Sequence, residues 1–382
     1  MAAAVAHWGA FFGWRTGFFD QRVRPGRLAL PGPVIQVASS NSTQYALLAD
    51  GSVYAWGLGT SGQLGNGRRA NSFTRPVRVR FPAGVRIARL ATDAMPYDSA
   101  LAVDTTGRAW GWGRNGYGDL CLGDARSQAI PVRLPLAGVT TLAGASNHAL
   151  YDARGTVYAC GQNLDGDLGD GSRAARTVRT RPVRVRGLPA GPVRTLVAAF
   201  ANSGALLADG RYYDWGYDGD GQLGDGRLRE SSAVPVRVRL RHPVVRVAQG
   251  GSWWGNGQTI VQLDNTSLWG WGDDQAHQLG LRPTAAQPVP ARFYSPAGVT
   301  YSELATGAAT SYAISTAGRV YAWGASHTGQ LGDGATRTSR RARLVAPAAT
   351  FISATANNVV ISLPGAAAPP GAARLDALIA PR

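Results

Sequence analysis

The sequence predicts an all-β protein, a seven-bladed β-propeller made of four-stranded antiparallel blades. The first observation is compositional: the 382 residues include no Lys and only two Glu, Glu230 and Glu303, so the charged residues that favour exposed helix faces are nearly absent. In their place, 50 Gly and 22 Pro favour tight turns. The second observation is a Trp-Gly pair that recurs roughly every 50 residues, which indicates a repeat architecture.

The Trp-Gly pairs occupy equivalent positions of successive repeats. In six repeats a Leu follows eight residues after the aromatic residue or its replacement, and in five repeats a Gly stands five residues before it. One repeat carries Cys160 at the aromatic position. Because these offsets recur along the chain, the segments should fold as equivalent units. The pairs begin at Trp8, Trp56, Trp112, Trp215, Trp271 and Trp323.

Each repeat contains signals for four strands. Short apolar runs flank Asp50-Gly51, a hairpin signal because Gly accepts the positive φ of the turn. A Gly-rich loop follows, and Pro76–Arg80 then alternates apolar and basic residues, as a strand at the edge of a sheet would. The segment 85–91 supplies a fourth strand before the next hairpin. Four antiparallel strands in each of seven repeats are typical of a propeller.

The two ends of the chain carry complementary parts of one repeat. Residues 5–9 match a third strand without the strands that precede it, and residues 359–365 match those missing strands. We therefore expect the termini to share one blade, which closes the ring and removes exposed edges. The predicted domain organisation is a single propeller over 1–365 followed by an Ala/Pro-rich tail over 366–382.

The Gly-rich loop carries a recurring motif that identifies a resemblance. It reads Gly-Gln-Leu-Gly-Asn-Gly at 62–67 and Gly-Gln-Leu-Gly-Asp-Gly at 221–226 and 329–334. With the preceding Trp-Gly pairs, this pattern resembles the regulator of chromosome condensation repeat family over about residues 4–365. The resemblance implies a seven-bladed propeller. Family members include a nucleotide exchange factor that docks on chromatin, an ultraviolet photoreceptor, ubiquitin-ligase modules and, among related propellers, β-lactamase inhibitors.

The resemblance implies the fold more than it implies one activity. Photoreceptor members carry a repeated Gly-Trp-Arg-His-Thr motif, whereas this chain has only Gly13-Trp-Arg-Thr-Gly17, at a different place in the repeat. The wedge that exchange factors insert into their GTPase has no matching residues here. One fold serves many functions, so the function must be argued from the residues of a site.

The charge of the chain predicts an acidic partner. The net charge is +16 and the isoelectric point is about 10.7, which suits nucleic acid, a membrane surface or an acidic protein. Pro-Val-Arg-Val-Arg recurs at 76–80, 182–186 and 235–239, where the cations either guard an edge strand against pairing or bind a ligand. A denser run is a candidate site for phosphate or carboxylate groups. It comprises Arg173, Arg176, Arg179, Arg181, Arg184 and Arg186.

Aromatic residues in irregular loops are the candidate partner-binding residues. The loops that join the first to the second strand and the third to the fourth strand should emerge on one face of the disc. Aromatic residues beside arginines are typical of binding hot spots. The candidates are Phe11, Phe12, Trp14, Tyr97, Trp253, Trp254 and His277.

The sequence offers no paired signal for catalysis or for a metal. The five His residues are scattered over separate repeats, with no HExxH and no GxSxG motif. Gly57–Gly62 matches the string GxGxxG, but no helix pattern follows, so we interpret it as a turn. We interpret the Asp residues of 165–167 and 218–220 as turn formers, because a Leu stands where a calcium loop needs Gly. The sequence leaves open a catalytic triad whose residues come from several blades.

The two cysteines belong to different repeats. Cys160 replaces the buried aromatic residue, and Cys121 lies in the Gly-rich loop of the preceding repeat. We therefore expect Cys160 to be a buried thiol that forms no disulfide with Cys121. No apolar run approaches the length of a membrane-spanning helix and no leader is recognised, so we expect a cytoplasmic protein, or a secreted one if a leader was removed.

These observations predict a non-enzymatic platform, a monomeric propeller without cofactor, catalytic residues or metal, that binds an acidic protein partner through one loop face. The alternatives are nucleic-acid or chromatin-type binding, guanine nucleotide exchange, and an enzyme with a site in the central channel. Binding that weakens steeply with salt and depends little on nucleic-acid sequence favours the first alternative. Titratable residues clustered at the channel mouth favour the last.

Overall fold

A computed structural model of the chain confirms the all-β, seven-bladed fold. The structure describes residues 4–13, 17–91, 98–145, 147–173, 177–251, 257–281, 286–293, 296 and 299–364, and of 12–13 and 17–19 only the backbone. These residues form 28 strands in seven four-stranded antiparallel sheets. No helix long and apolar enough to cross a bilayer occurs among them.

Six blades follow the order of the chain. The first strands of neighbouring blades contact one another and form the inner ring, so the fourth strands lie outermost. Blade 1 contains β3 (Val34–Ser39), β4 (Thr43–Leu48), β5 (Val53–Gly57) and β6 (Ser72–Arg78). Blade 2 contains β7 (Ile87–Leu90), β8 (Ser99–Asp104), β9 (Arg108–Gly113) and β10 (Gln128–Ala137). Blade 3 contains β11 (Val139–Gly144), β12 (His148–Ala153), β13 (Thr156–Asn163) and β14 (Thr177–Arg184).

The remaining blades complete the ring in the same order. Blade 4 contains β15 (Val193–Ala198), β16 (Asn202–Leu207), β17 (Tyr212–Tyr217) and β18 (Ser231–Arg237). Blade 5 contains β19 (Val244–Gly251), β20 (Gly257–Leu263), β21 (Leu268–Gly272) and β22 (Gln287–Arg292). Blade 6 contains β23 (Tyr301–Thr306), β24 (Thr310–Ser315), β25 (Val320–Gly324) and β26 (Ser339–Ala346). Blade 7 contains β27 (Ile352–Ala354), β28 (Asn358–Leu363), β1 (Ala4–Gly13) and β2 (Gly17–Ala29).

The hairpin between the second and third strands forms at the predicted Asp-Gly pair. Gly51 has a φ of 81°, and its amide donates to the Leu48 carbonyl at 2.9 Å. The Asp50 carboxylate accepts the Ser52 amide at 2.9 Å, which closes the turn. The positive φ explains why Gly recurs at this position.

Blade 7 combines strands from both ends of the chain. β1 pairs antiparallel with β28, with Ala4 opposite Leu363 and Gly9 opposite Asn358. Blade 7 is also hydrogen-bonded to blade 1: the Gln44 side-chain amide nitrogen donates to Asn358 Oδ1 at 2.8 Å. That this pairing holds the ring closed stays a prediction. The tail predicted over 366–382 lies outside the described residues.

The aromatic residue of the Trp-Gly pair fills the space between two blades. At five junctions the indole Nε1 donates to a carbonyl in the Gly-rich loop of the preceding blade, so burial of the ring is coupled to a hydrogen bond. Trp56 differs: its Nε1 donates to Gln44 Oε1 of its own blade at 3.0 Å. The five contacts are Trp8 to Gln330 at 2.6 Å and, each at 2.9 Å, Trp112 to Gln63, Trp215 to Asp167, Trp271 to Gln222 and Trp323 to Gln278.

The cysteines correct one prediction. Cys121 and Cys160 form a disulfide, with their Cα atoms 5.5 Å apart, so the expectation of two unlinked thiols is wrong. The reason is that the Gly-rich loop of each blade packs on the third strand of the next blade, which brings Cys121 of blade 2 against Cys160 of blade 3. The predicted burial of Cys160 is confirmed, since both cysteines are 0% exposed.

Candidate interaction surface

The outermost strands present arginines to solvent. In blade 1, Val77 is half-buried and Val79 is buried, whereas Arg78 and Arg80 are exposed. The strand thus alternates as the sequence predicts, with valines toward the blade and arginines outward. The equivalent exposed arginines are Arg184 and Arg186 in blade 3 and Arg237 and Arg239 in blade 4.

The loops joining the first to the second strand and the third to the fourth strand meet at one end of the ring. Within blade 1 they are linked directly, because the Leu58 amide donates to the Ser42 carbonyl at 2.8 Å. Blade 6 repeats this contact from Ala325 to Ala309 at 2.8 Å. We call this end the loop face. Its third-to-fourth-strand loops are 58–71, 114–127, 164–173, 218–230, 273–281 and 325–338.

Exposed arginines recur on the loop face. Five of its third-to-fourth-strand loops place an exposed Arg shortly after the last Gly of the motif. Turns fix this geometry, since the amide of Arg68 donates to Asn66 Oδ1 at 3.0 Å and that of Arg227 donates to Asp225 Oδ1 at 3.1 Å. These five, which we call the loop arginines, are Arg68, Arg126, Arg173, Arg227 and Arg337.

Two aspartates of the same loops turn inward. Asp218 Oδ1 accepts the Leu223 amide at 3.0 Å, and Asp167 Oδ1 accepts the Asp165 amide at 3.0 Å. This confirms that these aspartates form turns. Burial raises the pKa of Asp218 to about 6 and that of Asp167 to about 7. These two loops therefore expose an arginine while a carboxyl group that shapes each loop is withdrawn from solvent.

The surface is more basic than the net charge indicates. Within the described ranges, nine aspartates are buried and no arginine is. A buried carboxylate still counts toward the net charge, but a partner at the surface cannot contact it, whereas it can contact the arginines. The exposed surface therefore carries an excess of positive charge, spread over the loop face and the outer strands.

The predicted basic run lies along β14 and the loop before it. Arg181, Arg184 and Arg186 are exposed, whereas Arg176 lies outside the described residues. Arg173 is exposed too, but its guanidinium donates to the Ser231 carbonyl of blade 4 at 2.9 Å. Arg179 lies 3.7 Å from an Asp170 carboxylate oxygen. Two arginines of the run thus have partners within the fold, and the others spread along an edge strand.

The structure describes few of the aromatic candidates. Phe11 is 1% exposed and packs 5.7 Å from the ring of Phe73, so it belongs to the core and presents no binding surface. Phe12 lies in β1, where only its backbone is described. His277 is half-buried in the blade 5 loop, with a φ of 61°. Outside the described residues lie Trp14, Tyr97, Trp253 and Trp254, which stay predictions.

One aromatic residue of the loop face was missed from the sequence. The Arg114 guanidinium lies 5.1 Å from the centre of the Tyr117 ring, and both side chains are half-buried in the blade 2 loop. Such a cation–π pair combines positive charge with aromatic area at the surface. The sequence signal was Arg114, three residues before Tyr117. The loop has the same length as the equivalent loop of blade 1, so it does not stand out as irregular.

A serine, a histidine and an aspartate come together between blades 3 and 4. His148 Nε2 lies 2.7 Å from Ser203 Oγ, and His148 Nδ1 lies 3.5 Å from an Asp167 carboxylate oxygen. All three side chains are 0% exposed, and burial lowers the pKa of His148 to about 3. Ser203 Oγ also donates to the Asp167 carbonyl at 2.8 Å. The arrangement has the order of a catalytic triad but links two blades in the closed interior.

The GxGxxG motif and the possible metal ligands are the remaining candidates from the sequence. Gly57–Gly62 forms a turn after β5, in which the Gly62 amide donates to the Gly59 carbonyl at 3.0 Å, so the interpretation as a turn is confirmed. Over the described part of the chain, no three His, Cys, Asp or Glu side chains lie together in a way that could hold a metal ion.

The comparisons with known proteins agree with this geometry. The regulator of chromosome condensation (RCC1) repeat matches residues 50–92, 106–151 and 209–253, and a second profile of the same repeat matches 34–63. The chain is 29% identical over 341 residues to the ultraviolet-B receptor UVR8 of Arabidopsis thaliana, covering 86% of this chain and 74% of that protein. It is 28% identical over 322 residues to the human E3 ubiquitin-protein ligase HERC2, covering 82% of this chain but 6% of HERC2.

Solved structures share the same architecture. Human WBSCR16 superimposes with a TM-score of 0.80 at 20% identity, covering 95% of this chain and 99% of that one. Prp20p of Saccharomyces cerevisiae superimposes with a TM-score of 0.77 at 18% identity, covering 96% of this chain and 92% of that one. At these identities the likeness shows the fold. The matched repeats and the seven blades together show a seven-bladed β-propeller that carries RCC1 repeats.

Proposed function

We propose that this propeller is a non-enzymatic interaction platform that binds an acidic protein partner through its loop face. The observation that carries the proposal is that the loops expose positively charged side chains and bury negatively charged ones. The loop arginines are exposed, whereas Asp167 and Asp218, which shape two of the same loops, are buried and accept backbone amides, and Asp225 and Asp333 are half-buried. A surface with this asymmetry attracts a partner of opposite charge over distances beyond direct contact.

The rigidity of the loops supports a platform. In blade 4 the Leu223 amide is held by Asp218, the Gly224 amide donates to the Gly221 carbonyl, and Leu223 is 0% exposed. A loop fixed in this way loses little conformational entropy when a partner binds.

Proteins of this fold supply a further argument for a protein partner. Yeast Prp20p is described with binding properties to Gsp1p and histones, and in another crystal structure it is bound to Kap60. These partners are properties of Prp20p. For this chain they support the general proposal that the ligand is a protein.

The experiment compares an acidic polypeptide with DNA. Fluorescein-labelled poly-glutamate and a labelled DNA duplex are titrated with the protein at several salt concentrations, and fluorescence anisotropy gives the dissociation constants. We expect poly-glutamate to bind. Duplex DNA bound more tightly than poly-glutamate, with a steep salt dependence, would instead support the nucleic-acid alternative.

Two variants with equal loss of charge locate the binding surface. The loop variant replaces Arg68, Arg126, Arg227 and Arg337 with Gln, and the rim variant replaces Arg78, Arg80, Arg237 and Arg239 with Gln. We expect the loop variant to bind poly-glutamate at least about tenfold more weakly and the rim variant to change mainly the association rate and salt dependence. Equal losses in both variants, or a larger loss in the rim variant, would show that the loop face is not the binding surface.

A further inference from the structure

At four of the five junctions closed by tryptophan, the loop glycine is required both by its backbone and by the indole that faces it. At the fifth, a Cβ at Gly280 would lie 3.7 Å from the indole of Trp323, which is an ordinary contact. Gly224 has a φ of 61°, which disfavours other residues. A Cβ atom at Gly224 would also lie 2.7 Å from Nε1 of Trp271, inside contact distance. The indole therefore occupies the space into which any side chain at this position would project. The same approach, at 2.8 Å, occurs between Gly65 and Trp112, Gly169 and Trp215, and Gly332 and Trp8.

The junction between blades 2 and 3 departs from this pattern on both sides. Cys121 follows Leu120 as Gly65 follows Leu64, so it takes the place of the loop glycine. It keeps the backbone of that glycine, with a φ of 57°. Cys160 takes the place of the tryptophan. The side chain added at one position thus enters the space vacated at the other, and the two sulfurs are bonded.

A third residue replaces the lost hydrogen bond. His148 pairs with Gly161 in blade 3 as Thr43 pairs with Gly57 in blade 1, which aligns the second strands of the two blades. Tyr151, three residues after His148, therefore occupies a strand position that is Ala in four other blades. These alanines are Ala46, Ala102, Ala205 and Ala313. Its hydroxyl donates to the Asp119 carbonyl of blade 2 at 3.1 Å. Asp119 precedes Leu120 as Gln63 precedes Leu64, so this carbonyl is the one that an indole Nε1 reaches elsewhere.

From these three matched departures we propose that Cys121, Cys160 and Tyr151 form a covalent lock between blades 2 and 3, which replaces the tryptophan contact of the other junctions. The disulfide closes a stretch of 39 residues that includes β10 of blade 2 and runs into β13 of blade 3. Such a cross-link stabilises the fold chiefly by restricting the unfolded chain. The lock makes the stability of this ring dependent on its redox state.

The chemistry of the lock is thiol–disulfide exchange. The two thiols lose two protons and two electrons as the S–S bond forms, and a small disulfide such as oxidised glutathione accepts them and becomes two thiols. Both cysteines are 0% exposed and Tyr151 is buried against them, so a reagent cannot reach the sulfurs in the folded ring. The bond therefore forms during folding and persists afterwards.

The first test follows the bond itself. Reduced, unfolded protein is refolded with or without oxidised glutathione and then analysed by intact mass and by peptide mapping without reductant. We expect one intramolecular link between the peptides that contain Cys121 and Cys160, slow reduction in the folded state, and a melting temperature about 5 °C higher than that of the reduced protein. Two free thiols after refolding with oxidised glutathione would overturn the proposal.

The second test restores the tryptophan junction. The Cys160→Trp variant places an indole against Tyr151 and the Cys121 side chain, so we expect little soluble protein. The triple variant Cys121→Gly, Tyr151→Ala, Cys160→Trp recreates the residues of the other junctions, and we expect it to recover soluble protein whose melting temperature does not respond to reductant. A Cys121→Ala, Cys160→Ala variant serves as the control that loses the bond without adding bulk. A triple variant no better folded than Cys160→Trp would contradict the matched replacement.

Discussion

The contact between a loop glycine and the tryptophan of the next blade predicts that Gly224→Ala is unusually destabilising. An Ala at a φ of 61° costs about 1 kcal/mol relative to Gly, because its Cβ crowds its own backbone. The new Cβ would also lie 2.7 Å from Trp271 Nε1 and 2.8 Å from Cδ1, and the indole is 0% exposed, so its neighbours must shift to make room. Overpacking of this kind adds about 2 kcal/mol, so the free energy of unfolding should fall by about 3 kcal/mol.

Gly187→Ala is the matched control. Gly187 has a φ of 84°, and a Cβ there would meet nothing within 4 Å, so only the backbone cost applies. For a chain of this length, 1 kcal/mol corresponds to a change in melting temperature of about 1.3 °C. Scanning calorimetry should therefore show a fall of about 4 °C for Gly224→Ala and about 1 °C for Gly187→Ala. Equal falls in the two variants would refute the steric role of the tryptophan.

Two further predictions concern the closure of the ring and its pH dependence. Deleting residues 1–9 removes Trp8 and the strand that pairs with β28, so we expect aggregation or a large fall in melting temperature, whereas deleting 366–382 should have no effect. An unchanged melting curve after the first deletion would contradict closure by a shared blade. Burial raises the pKa of Asp167 from its ordinary value of 3.8 to about 7, so the folded state binds the proton more tightly and this contribution to stability is lost as pH rises through 7. The melting temperature should rise when the pH is lowered from 8 to 6.5, and Asp167→Asn should rise less. An equal rise in both would show that Asp167 does not titrate in the fold.

The repeat made the fold predictable. Each recurring residue marks a position with one physical requirement, such as Gly51 in the hairpin turn or Trp271 between two blades. The alternation of Val77 and Arg78 likewise followed from the two faces of a strand. The number of blades and the outward arginines were therefore accessible without coordinates.

Contacts between blades were harder to predict. Cys121 and Cys160 belong to different repeats, and only the packing of one loop on the next blade shows that they meet. Phe11 stands where other repeats have no aromatic residue, and the sequence does not show whether such a residue is exposed or buried. In the structure it is buried and packs against Phe73. The buried cluster around His148 depends on residues from two blades. A repeat pattern describes equivalent positions, but it does not show which positions of neighbouring repeats lie opposite one another.

The most direct test of the proposed function maps where an acidic polypeptide binds. Amide hydrogen exchange is followed by mass spectrometry with and without saturating poly-glutamate. The account predicts slower exchange in the loop-face segments 58–71, 114–127, 218–230 and 325–338, with little change in the outermost strands. Protection confined to the outermost strands would indicate binding by the rim, and protection confined to the inner strands would indicate a site in the central channel. Either result would contradict the loop face as the binding surface.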